Sequence, residues 1–349
     1  MTIRLSIAAS LLFFAASGAE IPAPTGDSIV DPGAKLELLF TRESPIEGGL
    51  TEGPAVGPDG LIYFSDIRRG EGPGVIHRFD PGTGETTIFA ENSHKSNGLI
   101  FGPDQKLYAA EGADYGGRRI SQWDIQSKQR TLVVGSIGGL RFNSPNDICV
   151  DSKGRLYFSD PRYTGHEPRE LEHRAVYRTT TSGDVVELTH DLTKPNGVAL
   201  SPDEKTLYVA EHNNGSDGMP GFEPGNPGLM RIYRFPLGPD GLVSGPRRLV
   251  YDFGALGGCD GMTVDDQGNL YLATREPTRP GILVLDPQGG ELAFIPTGAG
   301  TSEQNPVASG MPSNVEFGLG DDANSLYITV DVSLYRIRLK ARGYHRQHQ

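Results

Sequence analysis

Six residues that could share one hard cation stand at matching places along this chain: Glu52, Asn97, Asn146, Asn196, Asp260 and Asn314. Each offers a side-chain oxygen, and none is His or Cys. Carboxylates and amides aimed at one point would repel or stay unsatisfied with nothing between them. One divalent cation answers both problems. Ca²⁺ suits it best, because it takes roughly six to eight oxygens from carboxylates, amide carbonyls and water. Mg²⁺, Mn²⁺ and Zn²⁺ are alternatives, although the lack of nitrogen and sulfur donors argues against a closed structural zinc site. For any single Asn the plainer account is a turn residue ahead of a strand. That account fits Glu52 and Asp260 less well, because Glu is a poor turn former.

Repetition is what brings the six together. The stretches "EGPAVGPDGLIYFSD" (from Glu52), "NGLIFGPDQKLYAAE" (Asn97), "NDICVDSKGRLYFSD" (Asn146), "NGVALSPDEKTLYVAE" (Asn196), "DGMTVDDQGNLYLAT" (Asp260) and "NVEFGLGDDANSLYITVD" (Asn314) share one plan. An anchor residue leads a short apolar strand, a Gly/Asp/Pro turn and a second strand carrying Tyr63, Tyr108, Tyr157, Tyr208, Tyr271 or Tyr327. The tyrosines follow their anchors by 11, 11, 11, 12, 11 and 13 residues, and the anchors are 45, 49, 50, 64 and 54 apart. A strand-built repeat of that length means propeller blades. Third strands such as "GVIHRF" and "RIYRF" follow, then fourth strands such as "ETTIFA" and "RRLVYD" in blades one to five.

The sixth blade lacks its own fourth strand, and "KLELLF" at 35–40 can supply it. Closing the ring this way removes two open sheet edges. The expected fold is therefore all-β: a six-bladed β-propeller with four-stranded blades, closed by an N-terminal strand. The first strand of each blade lines the central channel, so the six anchors converge on its axis.

The 47 Gly and 26 Pro are scattered between short apolar runs, which fits a turn-rich β protein. A formal net charge of -12 gives no nucleic-acid signal. The opening "MTIRLSIAASLLFFAASGA" has a positive charge, an apolar run and small residues at Ser17 and Ala19, the pattern of a secretory signal peptide. The expected division is a signal peptide at 1–19, a lead-in at 20–34, the propeller at 35–340 and a tail at 341–349. The mature chain is expected in the periplasm or outside the cell, with no membrane span after processing. Cys149 and Cys259 are expected as two separate thiols.

From about Leu50 to Tyr335 the chain resembles the SMP-30/gluconolactonase/luciferin-regenerating family, and within it the exported bacterial gluconolactonase-like branch. The motifs that carry the likeness are "TEGPAVGPDGLIYFSDI", "SNGLIFGPDQKLYAAEG", "NSPNDICVDSKGRLYFSDPRY", "KPNGVALSPDEKTLYVAEH" and "CDGMTVDDQGNLYLATR". The resemblance implies one divalent metal on the axis, with Glu52, Asn196 and Asp260 as ligands. Asn146 matches a further amide that touches the metal or the substrate on it. Asp147 matches a polar partner that orients water or substrate, and Asn97 and Glu111 match residues lining the pocket. The Gly-, Pro- and Asn-rich loop from His212 to Met230 departs from the family pattern and accounts for the 64-residue spacing after Asn196.

The expected chemistry is hydrolysis of a small molecule, a sugar lactone, in which the metal steadies charge on the carbonyl oxygen. Asp260 is the expected general base, with Glu52 or Asp147 able to share the role. His212, at the end of a blade-four strand, and Arg162, in "DPRY", are further candidates for substrate contact; their plainer readings are a solvated loop His and a surface ion pair. No G-x-S-x-G nucleophile elbow is present. Two alternatives use the same residues: a ligand-binding propeller with a structural metal, and a phosphotriesterase or aryl-esterase.

Overall fold

The computed structural model describes residues 20–43, 49–68, 70–180, 183–217, 225–302 and 309–345. The expected signal peptide at 1–19 lies outside them. Six antiparallel four-stranded sheets follow one another around a ring. The innermost strands are Leu50–Val56, Ser96–Phe101, Ile148–Val150, Pro195–Leu200, Cys259–Val264 and Pro312–Phe317. Beyond the blades, the described residues contain a two-stranded ribbon (Ser136–Ile137 with Leu140–Arg141) and one 3₁₀ turn at Gly320–Asp322. No helix among them is long and apolar enough to cross a membrane.

The closing strand forms as expected, shifted slightly to Glu37–Thr41. It pairs antiparallel with Ser333–Arg338, with Glu37 opposite Arg336 and Thr41 opposite Ser333. The sixth blade is thereby built from both ends of the propeller. The segments flanking it are tied down as well. Thr25 bridges to Phe294, and Ile29 and Val30 are buried against Tyr271 and Phe317. At the other end Gly343 bridges to Asp265, the Tyr344 hydroxyl donates to the Pro202 carbonyl, and His345 is buried beside Phe317.

The recurring tyrosine has a structural explanation. The hydroxyls of Tyr63, Tyr108, Tyr157 and Tyr271 donate to Asp59, Asp104, Asp151 and Asp265 at 3.0, 2.9, 3.2 and 3.1 Å, and Tyr327 donates to Asp322. Each bond pins a turn to the second strand of its own blade. The rings also fill the wedges between blades. Tyr63 packs edge-on against Phe89 and Phe101 between blades one and two. Such contacts add about 0.5–1.5 kcal/mol each to the burial itself. Cys149 and Cys259 are both free thiols.

Candidate axial metal and substrate site

The anchors do not merely precede the inner strands. Five of the six sit inside them, at or beside irregularities in the pairing. The register with the second strand shifts between Glu52 and Ala55, Ser96 and Leu99, Pro195 and Val198, Cys259 and Met262, and Pro312 and Asn314. A bulge re-aims side chains that would otherwise alternate across the sheet. Asn146 alone stands before its strand, with its N–H on the Ser159 carbonyl.

Glycines let neighbouring anchors close up. A Cβ on Gly53 would lie 2.3 Å from the Asn97 carbonyl oxygen, one on Gly98 2.8 Å from that of Asn146, and one on Gly197 2.4 Å from that of Asp260. A Cβ on Gly261 would meet Asn314 Cγ at 2.0 Å. Any side chain at these places would push adjacent blades apart. Blade three breaks the series, because Asp147 occupies the place that glycine holds in blades one, two, four and five. Its Oδ2 accepts the Val198 N–H at 2.9 Å, and its Oδ1 accepts Asn314 Nδ2 at 3.1 Å.

Glu52, Asn146, Asn196 and Asp260 are all buried. Asn196 Nδ2 donates to Asp260 Oδ1 at 2.7 Å, joining blades four and five. Arg275 Nη1 lies 3.3 Å from Asp260 Oδ2. Burial pushes the Glu52 carboxyl well above its usual range, and the charges of Asp260 and Asp147 add to that. Burial also raises Asp147 to about 7. The carboxylates therefore feel one another across the axis.

His212 is buried at the same end. Its Nδ1 is 3.0 Å from the Cys259 carbonyl oxygen, which can only accept, so Nδ1 carries the proton and Nε2 is left as the acceptor. Burial holds its pKa below the ordinary His value. The Tyr163 hydroxyl donates to the His212 carbonyl at 2.8 Å, with the Tyr163 ring edge-on to the imidazole. Asn97 is half-buried on the blade-two anchor.

Two expected pocket residues are engaged elsewhere. Glu111 is fully buried, and its two oxygens accept from Arg119 at 2.7 Å and Arg130 at 2.6 Å. Arg162 is fully buried too, and its guanidinium caps the carbonyls of Gly165 and Glu167 in its own loop and of Asn143 in the segment before the first strand of blade three. Each satisfies its charge inside the scaffold, so neither has the hydrogen bonding of a substrate contact. Two further residues lie here that the anchors do not mark, Tyr163 and Arg275, while the anchor Asn314 serves as the partner of Asp147. A signal for Arg275 exists. It follows its repeat tyrosine by 4 residues, the place that His212 holds after Tyr208.

An axial cavity continues past Asp147 and Asn314, lined also by Thr263, Glu316, Tyr344 and His345. It does not include Glu52, Asn196 or Asp260.

Among the described residues no three His, Cys, Asp or Glu side chains gather closely enough to hold an ion alone. A cation here needs the Asn carbonyls. The structure meets that need: the buried Oδ1 atoms of Asn196 and Asn97 have no hydrogen-bond partner. Orphaned amide oxygens beside mutually repelling carboxylates fit a hard divalent ion.

The chain belongs to the SMP-30/gluconolactonase/LRE-like family, whose model matches residues 50–331. It is 30% identical over 340 residues to the gluconolactonase of Zymomonas mobilis, covering 92% of this chain and 86% of that one. It is 29% identical over 296 residues to a pentonolactonase of Haloferax volcanii, covering 84% and 85%. Its fold is similar to the solved structure of a gluconolactonase from Xanthomonas campestris, with a TM-score of 0.72 and 27% identity over 92% of this chain and 96% of the other.

Proposed function

We propose that this protein is a divalent-cation-dependent hydrolase that opens a sugar lactone, and that it works in the periplasm or outside the cell. The observation that carries the reading is the pairing of Asn196 with Asp260: one amide with an orphaned buried oxygen, hydrogen-bonded to a carboxylate within electrostatic reach of Glu52. The relatives named gluconolactonase and pentonolactonase supply the reaction class. Glu52, Asn146, Asn196 and Asp260 would hold the ion, and the all-oxygen donor set favours Ca²⁺. When bound, a divalent cation supplies Lewis-acid polarisation of the lactone carbonyl.

The chain's own groups do the rest. Asp260 takes a proton from water as the water oxygen attacks the carbonyl carbon. The ring C–O bond then breaks, and its oxygen leaves as a hydroxyl by accepting a proton. The Asn196 hydrogen bond at Oδ1 holds Asp260 for this work. Asp147 ties blades three, four and six together at the axis, and Asn97 and the Nε2 acceptor of His212 would bind sugar hydroxyls. The export reading rests on the sequence of residues 1–19.

A substrate panel tests the function. Purified protein with added Ca²⁺ is expected to open six-carbon and five-carbon sugar lactones, and Asp260→Asn to lose about 100-fold or more in rate. Turnover of a phosphotriester or aryl ester with none of any lactone would overturn it.

A further inference from the structure

Three carboxylates act on one another at the axis: Glu52, Asp147 and Asp260. Arg275 lies 3.3 Å from Asp260 Oδ2 and donates to the Pro312 carbonyl at 3.1 Å. Its guanidinium is fixed across the boundary between blades five and six while its side chain keeps 29% exposure. Lys194, another buried cation on this side, is held on Asn214 and Ser216, and its charge faces Asp217 at 3.8 Å. His212 Nδ1–H is engaged by the Cys259 carbonyl. Among the described residues, Arg275 is therefore the cation that offsets the carboxylates directly.

Asp260 does not need Arg275 to be oriented. Its Oδ1 is tied to Asn196, and its backbone is wedged against Gly197. What Arg275 contributes is charge. We infer that Arg275 is a built-in counter-cation that weakens cation binding at Asp260 and brings the loaded site to neutrality. With the three carboxylates ionised around a bound cation, their charges, the guanidinium and the divalent ion sum to zero. A neutral site suits an uncharged lactone and has little hold on the carboxylate it yields. The inference rests on the metal reading above.

Calcium affinity measured by calorimetry on the purified protein tests it. Arg275→Gln removes the charge and is expected to bind Ca²⁺ roughly tenfold more tightly than wild type, because a unit charge a few ångströms from the ligand is lost. Arg275→Lys keeps the charge and is expected to stay within about twofold of wild type. If Arg275→Gln does not fold, Arg275→Met makes the same test. Unchanged or weaker binding in the neutral variants, with wild type binding normally, would overturn the counter-cation and leave the metal site standing. No Ca²⁺ binding by wild type would overturn both.

Discussion

Asp147 and Asn314 meet across the channel, Oδ1 to Nδ2 at 3.1 Å, although 167 residues separate them in the chain. The bond ties blade three to blade six at the axis. Asp147 also holds the Val198 N–H of blade four, so one carboxylate joins three blades. Asp147→Ala would leave two buried donors without partners. It is expected to lower unfolding free energy by about 2–4 kcal/mol at pH 5, measured by urea titration of metal-free protein.

The close approach of neighbouring anchors gives a second test. Gly197→Ala would place its Cβ 2.4 Å from a backbone oxygen of Asp260, a contact no rotamer can relieve. Blades four and five must separate, and Asp260 must move with them. The variant is expected to fold with a lower melting temperature and to lose at least tenfold in Ca²⁺ affinity, which calorimetry checks.

Glu316 lies two residues beyond Asn314 and accepts from Thr263 and from the Phe317 N–H. Burial raises its carboxyl from 4.5 to about 7. A carboxyl with a raised folded-state pKa adds stability that is complete below about pH 4.5 and is lost as pH rises through 7. Glu316→Gln removes that loss. It is expected to exceed wild type by about 2–3 kcal/mol at pH 8, with the gap closing below pH 5. Denaturant unfolding at the two pH values measures this.

Glu111 separates scaffold from site. Glu111→Ala would leave Arg119 and Arg130 without their shared carboxylate and is expected to cost about 1–3 kcal/mol. Ca²⁺ affinity is expected to hold within about twofold, because both arginines lie in the second blade's outer strands. Thermal melts paired with calorimetry check both parts.

Much of the architecture was legible because the repeat states it six times. Tyr63 and its counterparts mark the second strands, and the missing fourth strand of blade six points to the N-terminal segment. The anchors were legible for the same reason: position in the repeat fixes position on the axis. Charge partners outside the repeat were less so. Glu111 looks like a pocket residue from its motif, but Arg119, directly opposite on the next strand, and Arg130 claim it. Arg162 reads as a substrate contact or a surface ion pair, yet three carbonyls from two segments fold around it. The spacing of Arg275 from Tyr271 marks its place at the strand end, but its ion pair with Asp260 Oδ2 is legible only in the fold.

The central claim is that a cation held by the axial oxygens is required to open a lactone. The most direct measurement is the initial rate of sugar-lactone hydrolysis by chelator-stripped protein as Ca²⁺ is added back, with bound calcium followed in parallel. The account predicts a rate near background without metal, rising in proportion to occupancy and reaching its plateau at one ion per chain. Full activity after complete metal removal would contradict it.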